Sequence, residues 1–425
     1  PIAKRLGGRE IESADEVPPE ALELCQECPL YGQGSKKHGC CDTVVVWDKT
    51  QDAKRRRLDI IELTEQLIAI PSISGNETEI LHFVASWMQS VNFDKVITEK
   101  RFTTGLIRAS KQPAQRALIL CGHVDTVSPG DKSAWRQSPW QPYVMNGRLY
   151  GLGATDMKAG VALQMIAAAE YANERRDDLD VWCIAVASEE VDGAGSADFA
   201  KYFSEKTQYE EVSCAIAEPT DNRIEIGHRG NKFVEFIFER TSSHASQESA
   251  YYDSSLPAVV LFLNDLPEIR EQLHAAYSHD ILGAPSFTPT RVEPAGSYSN
   301  NKTAGISSVI VDIRTTPPLD ADFEKWVDEI AARYDCTWRH PATPVPSALC
   351  DTNAKILKTM QHLLPQAEIA VSYGGTDQAF FQSIGAETVI YGPGDFDQAH
   401  TVNESVSVAR IRQTHGIYQQ LIQSI

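Results

Sequence analysis

The chain has 425 residues, of which 42% are apolar and 23% charged, with a formal net charge of -19. That balance belongs to a globular protein with enough chain for about two folded units, and it excludes a disordered or membrane-embedded polymer. The negative charge repels phosphate backbones and no basic stripe interleaved with aromatic residues offsets it, so no nucleic-acid partner is expected.

Residues 1–57 come first, as a cysteine-containing extension. Their opening, "PIAKRLGGREIESADE", has no apolar segment of the secretory kind. No later apolar run approaches bilayer length, so a cytoplasmic protein with no membrane partner is expected. "CQECPLYGQGSKKHGCC" offers Cys25, Cys28, Cys40 and Cys41 with His38 nearby. The first pair has the spacing of structural zinc sites, whereas the adjacent second pair makes four-point chelation awkward. A metal-stapled knot and a set of free thiols both fit this pattern. The other cysteines, Cys121, Cys183, Cys214, Cys336 and Cys350, are scattered without motif spacing, as suits reduced thiols in a cytosol. "KRRR" at 54–57 reads as a solvated linker or helix start.

From residue 58 strands and helices alternate. "LDIIELTEQLIAI" and "NETEILHFVASWMQSV" have apolar positions at helical spacing, the second with Asn76 as predicted N-cap. Short apolar runs follow, "ALIL", "VWCIAVA", "CAIA" and "TVIY", suited to strands buried on both faces, with helical "MKAGVALQMIAAAEYANE" between them. The expected fold class is therefore α/β, with an open mixed-sheet domain built from 58–228 and 341–425. Residues 229–340 change character. "NKFVEFIFER" alternates like a strand with one wet face, "LPAVVLFLNDLPEIREQL" looks helical, and "ISSVIVDIRT" is strand-like. "ADFEKWVDEIAARY" is an amphipathic helix with its apolar face at Phe323, Trp326, Ile330 and Tyr334. This order predicts an inserted α+β domain.

In an open α/β sheet, ligands bind beyond the carboxyl ends of the strands. After "ALIL" stand His123 and Asp125; after "GRLYGLGAT", Asp156; after "IAVAS", Glu189 and Glu190; after "CAIA", Glu218; after "TVIYGPGDFDQA", His400. Singly, each has an ordinary explanation: a histidine after a strand is commonly solvent-facing, and Asp156 would serve equally as a helix cap. Jointly, two histidines and several carboxylates at strand ends suggest a metal centre. Asp156, Glu190 and Glu218 crowded together without counter-charge would be forced to protonate, whereas two divalent cations would balance them. Imidazole mixed with carboxylate suits zinc, and cobalt or manganese also suit these ligand types. Asp125, two residues along an extended segment from His123, is expected to accept the imidazole's second N–H and fix its direction. Adjacent Glu189 and Glu190 point apart, so one binds metal and the other stays free to move a proton during amide hydrolysis. "GLGATD" begins like a dinucleotide fingerprint but has Asp156 where the third glycine belongs, which sets a dehydrogenase aside.

The motifs "GHVDTV", "GATDMKAG", "ASEEVDGAGS", "AEPT" and "GPGDFDQAHTVNE" together resemble the dinuclear zinc metallopeptidases and deacylases. That family includes acetylornithine deacetylase, succinyl-diaminopimelate desuccinylase, aminoacylases and several dipeptidases. The resemblance implies that His123 and Glu218 bind one metal, Glu190 and His400 the other, and that Asp156 bridges. Glu189 would be the catalytic carboxylate and Asp125 the orienter. It also implies a ferredoxin-like lid that forms a homodimer and sends His244, in "RTSSHAS", toward the partner's site. Asn301 and Arg314 resemble the acetylornithine deacetylase version of a substrate-carboxylate site. The "SYGGTDQAFF" stretch is closer to the desuccinylases, with Gly375 and Thr376 lining the substrate pocket. The implied substrate is a small N-acyl amino acid.

Overall fold

A computed structural model describes residues 4–6, 9–11, 59–295, 299–372 and 374–425. The cysteines and His38 of the extension lie outside the described residues. Two compact units are present, 1–63 and 64–425. The first holds a short antiparallel hairpin of Lys4–Leu6 with Arg9–Ile11. Among the described residues no helix is long and apolar enough to cross a membrane.

The second unit contains a nine-stranded mixed sheet. Its centre is four parallel strands in the order Glu387–Gly392, Glu211–Pro219, Arg116–His123 and Leu179–Val186. These are the apolar runs of the sequence, and every residue of Leu179–Val186 is buried, as a strand covered on both faces requires. Antiparallel Phe102–Ile107 and Lys95–Thr98 extend one side. Ile224–His228, with the short strands Ala348–Leu349 and Ile369–Ser372, extends the other. The helix Ala159–Tyr171 is buried almost all round and packs on the sheet and on the closing helix Val408–Ser424. Gly160 allows that approach, because an added Cβ would lie 2.4 Å from the Ala217 carbonyl oxygen. Asp156 is thereby pressed toward the strand that carries Glu218.

A second sheet has the order Ser286–Ala295, Ile306–Thr315, Gly230–Glu239 and Thr337–Arg339, all antiparallel. With helices Ser255–Asn264, Leu266–Tyr277 and Pro317–Arg333 it has the strand order of a ferredoxin-like fold. Its separate core joins Val234, Phe236 and Phe238 of one strand to Phe323, Trp326 and Ile330 of the long helix, with Tyr334 just beyond its end. Asn231, on the smaller sheet, and Val345, in the segment that returns to the larger one, exchange backbone hydrogen bonds at 2.8 and 3.0 Å.

One local expectation shifts and another is refined. The second helix is Thr78–Ser90 with Glu77, not Asn76, at the N-cap, and the Glu77 carboxylate accepts the Gly75 N–H at 2.8 Å. "LPAVVLFLNDLPEIREQL" is helical as expected and divides into two helices, because Pro267 lacks an N–H and fits the first turn of a new helix but not the interior of an old one.

His228 ends its strand fully buried, with Nδ1–H donated to the Arg229 carbonyl at 2.9 Å and Nε2 making no hydrogen bond among the described residues. Burial therefore pushes its pKa down to about 4. The unfolded chain binds this proton near the ordinary value of about 6.5, so the contribution is present above that pH and is lost as pH falls toward about 4, by up to about 3 kcal/mol. Urea unfolding of metal-free protein at about pH 7 and about pH 4.5 tests this. The loss on acidification should be smaller in His228→Asn, which keeps the donor to Arg229; equal losses in the two proteins would contradict it.

Candidate metal centre

His123 is the last residue of its strand and is fully buried. Its Nδ1 faces the Asp125 backbone carbonyl at 3.0 Å, which makes Nδ1 a donor and turns Nε2 inward. Nε2 lies 2.9 Å from Asp156 Oδ1 and 3.5 Å from Glu218 Oε1. The other Asp156 oxygen, Oδ2, lies 3.3 Å from His400 Nε2, which in turn is 3.0 Å from Glu190 Oε2. Asp156 thus stands between the two imidazoles with one oxygen toward each. Donor atoms of His123, Asp156 and Glu190 lie within 4.8 Å of one another, as do those of His123, Glu189 and Glu218.

The Asp125 carboxylate does something the sequence did not suggest. It is 3.6 Å from His123 Nδ1, farther than its own backbone carbonyl. Its two oxygens also accept the backbone N–H groups of Glu189 and Glu190, each at 3.2 Å, and the Ser74 hydroxyl at 2.8 Å. Ser188, at φ 64°, makes the left-handed turn that aims those N–H groups back. Asp125 therefore clamps the loop that carries both glutamates.

The electrostatics are those of a site built for cations. Burial pushes Glu218 and Glu189 well above the ordinary carboxylate range, with His123 only partly offsetting it. Burial disfavours charge on His123 too, yet the Glu218 carboxylate and the hydrogen bonds to Asp125 and Asp156 outweigh it and hold the imidazole well above its ordinary value. Hydrogen bonds to Asp156 and Glu190 raise His400 to about 10. Asp156, despite burial, is held below the usual range by hydrogen bonds to His123 and His400. Carboxylates short of counter-charge and imidazoles recruited to supply it are what divalent cations would relieve. The donor set fits two such ions.

Beside the centre lies a pocket of about 230 Å³ lined in part by Glu189, Glu190, Asn231, Arg314, Gly375 and Thr376. Arg314 reaches it while its Nε and Nη2 make a two-point salt bridge to Asp312, each at 2.9 Å. His244 and Asn301 are not part of this wall. They sit together on the smaller sheet's side of the chain, exposed, with His244 Nδ1 2.7 Å from Ser246 Oγ and Nε2 3.4 Å from the Asn301 amide nitrogen. Sequence reasoning missed Asn231, which lines the pocket with an unpaired buried oxygen, and Glu404, which holds the Asp156 loop. For Asn231 a signal existed, its place at the start of the strand that leaves the larger sheet; for Glu404 there was none beyond its nearness to His400.

The sequence matches peptidase family M20/M25/M40 over residues 119–424. It is 28% identical to an acetylornithine deacetylase of Proteus mirabilis (strain HI4320), over 86% of this chain and 96% of the relative. It is 29% identical to an acetylornithine deacetylase of Photorhabdus laumondii, over 85% and 96%. Among solved structures, the M20 family metallo-carboxypeptidase Sso-CP2 from Sulfolobus solfataricus aligns with a TM-score of 0.68 at 15% identity, over 86% of this chain and 99% of that one. The Bacillus subtilis YXEP protein, described as a dinuclear metal binding peptidase from the M20 family, aligns at 0.62 and 14%, over 88% and 100%.

Proposed function

Because the chain belongs to peptidase family M20/M25/M40, we propose that it is a two-metal amidohydrolase that removes the acyl group from the nitrogen of an N-acyl amino acid, acetylornithine or a close analogue first. The observation that carries the two-metal reading is Asp156, with one oxygen toward His123 and the other toward His400. His123 and Glu218 would hold one cation, Glu190 and His400 the other, and Asp156 both. Zinc fits this mix of imidazole and carboxylate, and cobalt or manganese are the natural replacements. When bound, the pair supplies Lewis acidity toward the scissile carbonyl and makes water a better nucleophile near neutral pH. Glu189, at the pocket edge, takes the proton from water and returns it to the leaving amine. Arg314, Asn231 and the Gly375–Thr376 backbone, which line the pocket, would hold the substrate carboxylate, the guanidinium offering Nη1 while Asp312 keeps the fork oriented.

The full-length similarity to proteins named acetylornithine deacetylase favours an acetyl group. Asp377 after Gly375 and Thr376 favours a second reading, a desuccinylase or dipeptidase of the same family. Amine release from a panel of N-acetyl and N-succinyl amino acids and dipeptides separates them. N-acetyl substrates should give the highest kcat/KM, and a clear preference for dipeptides would replace the deacylase reading. Arg314→Ala should lower kcat/KM on the best substrate by roughly 10- to 100-fold, mostly through KM, as loss of a charged hydrogen bond does. An unchanged KM would remove Arg314 from substrate binding.

Residues 229–340 act in this reading as a lid and dimerisation domain. Helix Ser255–Asn264 exposes Leu256, Val260 and Leu261, and the neighbouring sheet ends in Ser286–Ala295, which pairs on one side only among the described residues. A second copy would cover both and bring its His244 and Asn301 to the oxyanion side of this site.

A further inference from the structure

Glu404 is 1% exposed and sits four residues beyond His400. Its Oε1 accepts the backbone N–H of Thr155 at 2.7 Å and of Asp156 at 3.1 Å, and its Oε2 accepts that of Gly153 at 2.8 Å. The strand Ser405–Ser407 already pairs with Arg148–Tyr150, so the carboxylate is not needed merely to attach this segment. It reaches past that pairing into the loop that delivers Asp156. Burying a carboxylate is costly unless it is hydrogen-bonded, and here three loop N–H groups converge on it. Lys158, equally buried, lies on the same loop and donates to the Leu67 and Ile70 carbonyls at 3.0 and 3.1 Å, which anchors the loop's far end.

We propose that Glu404 is the positioning residue that couples the Asp156 loop to the His400 segment and so sets the spacing between the two metal positions. The proposal rests on the two-metal reading above. Glu404 touches neither cation nor substrate; it acts through the backbone of Asp156. Replacing it by glutamine points an amide N–H at one of the three loop donors, and replacing it by aspartate keeps the charge but shortens the reach. Either change should let Asp156 swing relative to His400.

The test is a titration of metal-free protein with Co²⁺, read by binding heat and by visible d–d absorption, on wild type, Glu404→Gln, Glu404→Asp and Tyr418→Phe. The last deletes two buried hydrogen bonds, one donated to the Tyr391 carbonyl at 2.8 Å and one accepted from the Gln164 amide at 3.2 Å, without touching the loop. Wild type and Tyr418→Phe should take about two equivalents, whereas in the Glu404 variants, folded by circular dichroism, the second should bind at least about tenfold more weakly with an altered spectrum. Two equivalents of wild-type affinity and spectrum in a folded Glu404 variant would overturn the role of Glu404 alone. Equal weakening in Tyr418→Phe would also overturn it, by showing a general loss of stability. A wild type that takes fewer than two equivalents would overturn the two-metal reading and this inference with it.

Discussion

Glu189→Gln is expected to keep its metal and lose turnover by roughly a thousandfold, the usual range for deleting a general acid–base group. Its backbone is fixed by the Asp125 carboxylate, so the substitution should leave the loop in place. Its side chain lies among His123 and Glu218 donor atoms and also at the pocket edge, where a water proton and a leaving amine would meet it. Burial, aided by the nearby charges of Asp377 and Glu190, raises its affinity for a proton. Glutamine matches the shape and cannot carry the proton. Elemental analysis of wild type and variant, together with kcat and KM on the best substrate, decides the matter. Near-wild-type kcat would remove Glu189 from the reaction. Absence of turnover by the wild type on the whole panel would favour a silent metal-binding protein that kept the fold.

The parts of this site that were legible in the sequence share one cause. His123, Glu189, Glu190 and Glu218 follow apolar runs that form adjacent parallel strands, and parallel neighbours deliver their carboxyl ends to one edge. The long lid helix was equally readable, since Phe323, Trp326 and Ile330 recur at helical spacing and all three are buried. What was not legible depends on backbone donors. Asp125 holds the N–H groups of Glu189 and Glu190, 64 and 65 residues away, through a left-handed turn at Ser188 that no residue preference announces. Glu404 holds an N–H 248 residues away, and such a contact leaves no periodicity. The Arg314–Asp312 pair lies between these cases: residues two apart on a strand share a face, so their contact follows from strand geometry once the strand is recognised. Helix ends were the least exact, as the one-residue move from Asn76 to Glu77 shows.

Asp156→Asn is expected to have the larger effect on the metal centre itself. The carboxylate has one oxygen 2.9 Å from His123 Nε2 and the other 3.3 Å from His400 Nε2, so both oxygens are acceptors in use. Asparagine keeps the volume and one of those oxygens but turns an NH₂ group toward the other position, where it repels a cation and cannot replace the lost negative charge. The two halves of the site then fail unequally. His123 and Glu218 are buried on rigid strand ends, whereas His400 is half exposed, on a loop residue at φ 58°. Metal content should fall from about two equivalents to at most about one, with the His400–Glu190 position the one emptied. Turnover should fall toward that of the chelated wild-type enzyme, because the chain would then hold only one of the two cations that would supply Lewis acidity to the reaction. Two retained equivalents with full activity would show that Asp156 does not join the positions. One retained equivalent with full activity would show instead that a single cation suffices for the reaction.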